Sequence, residues 1–293
     1  MMSIPSGDSS KEVNTMAKPI LQPGVEVRML HSSILNQTLQ LYIKLPWSYE
    51  RSDAPYPVLY CLDGNRSFLL YSTMSMIYET PVVNVQEIVI VGIGYLVADD
   101  REKGLAQWAA WRTRDLLPER REKIEEYWKE RLSLLMGGEE IQVQSGGARL
   151  FLHSIREEIN PFIEANYRVS SADRGLAGYS YGGLFTLYTL FHAPQMFTRY
   201  FAGSPTMFEK LFEYEENYAS SHHDLKARLF ITAGGNESDL LEPIRRMVEA
   251  LKSRMYPGLE VLTYIFEDEG HSSAYAAAVS RALCMLYYED GRK

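Results

Sequence analysis

Apolar residues occupy alternate positions at Val25, Val27 and Met29, and again at Leu39, Leu41, Ile43 and Leu45. A period of two turns one face of a strand inward, and the polar connection between the segments predicts a β-hairpin. The pattern then changes. Residues 58–62 and 88–93 are continuous apolar runs, the first stopped by Asp63-Gly64. Short runs without alternation fit strands covered on both faces, as in a parallel sheet between helix layers. Further strands are predicted at 174–177, 200–203, 228–233 and 260–266, making eight.

Helical periodicity fills the gaps between the later strands. Over 148–166, Leu150/Phe151, Ile155, Ile159 and Phe162/Ile163 recur at the 3.6-residue period. Helices are also predicted over 181–192, closed by Ala193-Pro194, over 241–255 and over 273–288. An antiparallel start followed by β-α alternation predicts a doubly wound α/β sheet, mostly parallel and with helices on both faces. One domain is expected over 23–293, preceded by a flexible polar arm over 1–22. Residues 96–147 interrupt the alternation. Within them 118–136 reads as a helix, with Ile124, Trp128, Leu132 and Leu135 on one stripe and Gly137-Gly138 at its end. An insertion of this size after a strand C-terminus usually lies over the ligand crevice, so a helical lid is expected.

Composition narrows the class. The 293 residues are 46% hydrophobic and 23% charged, enough apolar material for a large core, and the formal net charge of -8 argues against broad binding to nucleic acid or an anionic membrane. No run approaches the roughly 18 apolar residues of a membrane span, and residues 1–24 contain no apolar signal-like core. A cytoplasmic protein is therefore expected, with Cys61 and Cys284 as free thiols rather than a disulfide.

The chemistry centres on Gly178-Tyr179-Ser180-Tyr181-Gly182, with Gly183 following. The pattern fits the G-x-S-x-G nucleophile elbow, and here it falls between a predicted strand and an apolar helix, as that motif requires. Serine needs a general base, usually a histidine oriented by a carboxylate. Of six histidines, His31 and His153 precede the serine, against the chain order Ser, acid, His of this fold class. His192 ends the helix that Ser180 begins, roughly 18 Å away at 1.5 Å per residue. His222 and His223 sit in a polar stretch. His271 follows the last strand and precedes the last helix, and is the expected base. Glu237 and Asp239, after the strand at 228–233, both qualify as the acid; Glu237 is nearer the strand end, and Asp239 is also placed to cap the next helix. The oxyanion hole is expected from the backbone N–H groups of Tyr181 and, in the turn after the strand at 58–62, Asn65.

Together with Pro57 to Gly64, Val91 to Tyr95, Arg112 to Leu116, Gly203-Ser204-Pro205 and Glu267 to His271, these segments resemble the esterase branch of the α/β-hydrolase superfamily. Within it they are most similar to ferric-siderophore esterases of the enterobactin and bacillibactin type. The resemblance implies hydrolysis of a small-molecule ester or lactone through an acyl-enzyme, with Ser180 and His271 as the working pair and no metal or organic cofactor in catalysis. Arg112 and Arg114 are expected to contact an acidic group of the substrate, with a structural Arg114–Asp115 pair as the other reading; Trp111 is expected to contact an aromatic, apolar acyl or alcohol group, with core packing as the equal reading. Three alternatives stand beside this: an acyltransferase on the same scaffold, a general short-chain carboxylesterase, and a binding protein that kept the fold without turnover.

Overall fold

The computed structural model describes residues 24–80 and 83–288; the arm expected over 1–22 lies outside them. The expected hairpin is formed by β1 (Val25–Ser32) and β2 (Gln37–Lys44), antiparallel with Leu30 opposite Leu39 and Val27 opposite Tyr42. Its first strand is turned the other way from the expectation. Cross-strand partners share a face, so Leu30 joins Leu39, Leu41 and Ile43 on the core side, while Val27 and Met29 are 47% and 53% exposed. As the edge strand, β1 tolerates apolar side chains on its uncovered face.

Then follow β3 (Tyr56–Cys61), β4 (Val89–Tyr95), β5 (Val169–Tyr179), β6 (Arg199–Gly203), β7 (Ala227–Gly234) and β8 (Leu259–Phe266). All eight lie in one sheet ordered β1-β2-β4-β3-β5-β6-β7-β8. The β2–β4 pair is antiparallel and every later pair is parallel.

Both faces are dry. Leu59, Cys61, Ile90, Ala177, Phe201 and Phe230 pack under α1 (Gly64–Tyr78) and α9 (Ala274–Tyr287). The alternate residues Val58, Tyr60, Leu176, Tyr200, Leu229 and Ile231 pack on the opposite side. There they meet α4 (Ala148–Ser154), α5 (Asn160–Asn166), α6 (Tyr181–His192), α7 (Glu209–Ser221) and α8 (Ser238–Arg254). A π-helical turn, Ile155–Ile159, joins α4 to α5, so the predicted 148–166 helix is continuous but locally widened, with Ile155, Ile159 and Ile163 fully buried. Residues 96–147 carry α2 (Arg101–Leu116) and α3 (Glu122–Leu135), which share a small core of Ala106, Ala109, Ala110, Leu132 and Val143.

Two neighbouring strands place the site. From β3 the chain leaves into α1 on one face; from β5 it leaves into α6 on the other. Connections diverging from adjacent parallel strands open a crevice at their C-terminal ends, where open α/β sheets bind ligands. Residues 63–65 and 180–182 form its two sides.

Candidate active site

Ser180 is held at φ 60°, ψ -119°, a conformation non-glycine residues rarely adopt. Its N–H donates to Gly203 O at 2.9 Å, and its carbonyl accepts from Leu184 N at 3.0 Å and Thr206 N at 3.2 Å. The turn is tight: a Cβ on Gly178 would lie 2.2 Å from the backbone of Gly182, and one on Gly183 would lie 2.9 Å from Gly203 O. A Cβ on Gly182 itself meets nothing nearer than 3.6 Å. Close packing therefore demands glycine at 178 and 183, and the second glycine of the motif is not there for its own lack of a side chain.

His271 stands on the loop after β8, its side chain half exposed, with Nδ1 2.5 Å from Glu237 Oε1. Glu237 occupies the position just before α8, and its side chain is only 6% exposed. Its second oxygen accepts from Gly234 N and from Ser204 Oγ, both at 2.6 Å. Of the two candidate acids, only Glu237 meets the histidine; Asp239 lies in the first turn of α8 and touches Ser238 Oγ at 3.4 Å. The imidazole is brought beside the elbow through Tyr179. The two ring centroids lie 5.2 Å apart, and Tyr179 Oη donates to the main-chain oxygen of His271 at 2.7 Å. Among the described residues the Ser180 hydroxyl makes no hydrogen bond, to His271 or otherwise. Nucleophile–base contacts are commonly long without substrate and tighten in the complex.

The rival histidines are occupied elsewhere. His192 stacks on Tyr188 with centroids 4.0 Å apart, and burial lowers its pKa. His222 lies parallel to Tyr218 at 4.3 Å.

Facing the elbow, Asp63 adopts the left-handed conformation at φ 56° and starts α1. The first N–H groups of a helix have no intrahelical acceptor, and those of Asn65 and Tyr181 have no hydrogen-bond partner among the described residues. The Asn65 side chain fixes its turn to β4: Oδ1 accepts from Tyr95 N at 2.7 Å and Nδ2 donates to Tyr95 O at 2.8 Å.

The insertion closes around this point. Arg112 of α2 is buried and donates to both oxygens of Asp63, at 2.7 and 2.9 Å. Its guanidinium lies 5.0 Å from the ring centroids of both Trp108 and Tyr181. Trp128 of α3 donates from Nε1 to Tyr181 Oη at 3.4 Å. Arg114 is held by both oxygens of Asp115, at 2.7 and 2.8 Å, and by Gln37 Oε1 at 2.7 Å. The structure thus gives both arginines carboxylate partners within the protein, each through its Nε–Nη2 edge; for Arg114 this is the structural pair of the second reading. Trp111 packs against Tyr95 at 5.8 Å and borders the main core. A residue absent from the sequence reading is Arg66, in the first turn of α1. Its guanidinium is exposed, lies 4.8 Å over the Trp108 ring, and meets no carboxylate among the described residues. Its place directly after Asp63-Gly64-Asn65 was the available signal.

A doubly wound sheet with a strained serine after its central strand, and a histidine–carboxylate pair from the loops after later strands, defines an α/β-hydrolase of the serine-esterase class. The family model described as "Putative esterase" matches residues 32–136 and 115–254, and the chain belongs to that family. It is similar to the ferri-bacillibactin esterase BesA of Bacillus subtilis (strain 168), 31% identical over 92% of this chain and 91% of that one. It is also similar to the siderophore triacetylfusarinine C esterase of Aspergillus fumigatus, 28% identical over 86% of this chain and 88% of that one. Among solved structures, the BES protein of Bacillus cereus superposes with a TM-score of 0.78 at 25% identity, covering 94% of this chain and 99% of that one. The protein is a serine ester hydrolase.

Proposed function

We propose that Ser180 is the nucleophile, His271 the general base and Glu237 the acid of a two-step acyl transfer on a siderophore-type ester or lactone. The observation that carries this is the His271–Glu237 contact formed beside the strained elbow of Ser180. In the first step Ser180 Oγ attacks the ester carbonyl while His271 Nε2 takes its proton. Glu237, accepting from Nδ1–H, holds the ring orientation and stabilises the imidazolium. The N–H groups of Tyr181 and Asn65 receive the developing oxyanion. His271 then protonates the leaving alkoxide, and water deprotonated by His271 releases the acid. The α2–α3 insertion is read as the lid of this site, supported by its contacts to Tyr181 and Asp63.

The substrate class rests on the relatives, whose names give ferri-bacillibactin and the siderophore triacetylfusarinine C. A cytoplasmic setting is favoured by the two unpaired cysteines. The test is a side-by-side panel of short and long p-nitrophenyl esters, an aromatic ester and a ferric trilactone siderophore. The expected outcome is the highest kcat/KM on the ferric trilactone, with Ser180→Ala reducing turnover by about three orders of magnitude or more on every substrate. Equal or better hydrolysis of simple esters would reduce the protein to a general carboxylesterase.

A further inference from the structure

The segment Gly203-Ser204-Pro205 stands out in the sequence yet takes no part in the steps above. It closes β6, between the elbow on β5 and the acid-bearing loop after β7. Ser204 is fully buried at φ 35°, another rare conformation for a non-glycine residue, and its N–H donates to Thr232 O at 2.8 Å. A Cβ on Gly203 would lie 2.4 Å from the Tyr179 ring, so glycine there lets that ring lie against the backbone. Two strained or steric requirements thus meet where two hydroxyls meet.

These hydroxyls form a chain. Ser204 Oγ is 2.6 Å from Glu237 Oε2 and 2.8 Å from Tyr179 Oη, which is itself 2.7 Å from the His271 main-chain oxygen. An ionised carboxylate only accepts, so the Ser204 proton goes to Glu237. Tyr179 then donates its proton to the His271 carbonyl, with Ser204 Oγ as a second acceptor in reach. Burial pushes the Tyr179 pKa up to about 12, which keeps that proton in place at neutral pH. The ring is fixed as well, between Tyr275 at 4.3 Å and His271 at 5.2 Å. Packing alone would be served by phenylalanine at 179 and alanine at 204; the oxygens add one tether to the backbone of the base and one to the carboxylate.

We propose that Tyr179 and Ser204 are positioning residues that hold His271 and Glu237 in register with the adjacent nucleophile. The inference rests on the catalytic reading of Ser180, His271 and Glu237. Its test compares Tyr179→Phe, Ser204→Ala and the double variant, each removing only oxygen, in steady-state hydrolysis with Ser180→Ala as the control. The downfield proton resonance of the His271–Glu237 hydrogen bond is recorded alongside.

Misplacing a catalytic group by a fraction of an ångström to 1 Å costs up to about 100-fold. Each single variant is expected to lose about 10-fold or more in kcat, with KM within about twofold of wild type and the downfield resonance shifted or broadened. Because the two hydroxyls act in one chain, the double variant should lose clearly less than the product of the single losses. Near-native kcat in either folded variant, a loss confined to KM, an unchanged resonance or multiplicative losses would each overturn the proposal. If one variant does not fold, the other decides by the same kcat, KM and resonance criteria. Wild-type hydrolysis that does not depend on Ser180 would overturn the catalytic reading first, and this inference with it.

Discussion

At the scale of single residues, a carboxylate that pairs with a guanidinium takes up one of its edges and offsets its charge. Arg112 and Arg114 each face two carboxylate oxygens through the Nε–Nη2 edge, a geometry that offsets the charge and fixes the plane of the guanidinium. Sequence could place these arginines near the site but could not show that Asp63, 49 positions earlier, takes up Arg112. Beside the candidate oxyanion turn, Arg66 is a cation without a carboxylate partner among the described residues, braced on Trp108. If the substrate carries anionic groups, as a ferric catecholate would, Arg66→Gln should raise KM for a ferric catecholate trilactone about 10-fold, the worth of one charge-assisted hydrogen bond. KM for neutral p-nitrophenyl acetate should stay unchanged, and the difference should shrink at high salt. Equal KM values for wild type and variant on the ferric substrate would remove Arg66 from the binding surface. The meeting of His271 and Glu237 beside the elbow of Ser180 was legible because each of the three follows a strand that its own apolar run announces. The Tyr179–Ser204 chain was not, since hydroxyl partners depend on side-chain geometry that no periodicity encodes.

Among elements, the strands were read closely and three helices were missed. Strands β3 and β4 are buried along their whole length, and unbroken apolar runs report that directly. The face that α1 buries contains Ser67, Ser72 and Ser75 beside Phe68 and Tyr71, while Leu69 and Ile77 are exposed, so its stripe is blurred. In α2 the buried positions are Gly104, three alanines, Thr113, the charged Arg112 and Asp115 and, only at the end, Leu116, which do not look like a core-facing stripe. The buried stripe of α7 is short, Leu211, Phe212 and Tyr218, and Glu215 interrupts it. Glu215 is buried there because Arg254 of α8 reaches both its oxygens at 2.9 Å.

The same logic makes α2 the element most sensitive to one substitution. The Arg112 and Asp63 side chains are 9% and 12% exposed, and removing one partner of such a pair leaves a desolvated charge, at a cost of about 3 kcal/mol or more. Arg112→Ala should lower unfolding stability by about that amount, measured by urea denaturation. Arg112→Met combined with Asp63→Asn should recover a good part of it. Stability unchanged in the single variant would show that the pair is not holding α2 to the β3–α1 turn.

Over the whole molecule, the winding places the chemistry. Chain order alone gave an antiparallel start and a parallel remainder, and the sheet order adds that β3 and β5 are neighbours although more than a hundred residues separate them. That adjacency sets the turn at Asp63 against the elbow at Ser180, with Leu62 N donating to Ala177 O at 2.9 Å across the two strands. Strands β7 and β8 then deliver Glu237 and His271 from the same edge of the sheet. Sequence reading reached this because right-handed β-α-β connections leave few ways to wind such a pattern. It missed the facing of β1, where an edge strand has no second layer to dictate which residues turn inward.

A fluorophosphonate probe tests the pairing of residues 180 and 271 most directly, because it reacts with a serine only where a base and an oxyanion hole are assembled. Intact mass and peptide mapping of the treated protein should find one adduct, on the peptide carrying Ser180, formed rapidly in wild type. Folded His271→Ala should label slower by orders of magnitude. An unlabelled wild type, an adduct elsewhere, or labelling that survives Ser180→Ala would contradict the assignment.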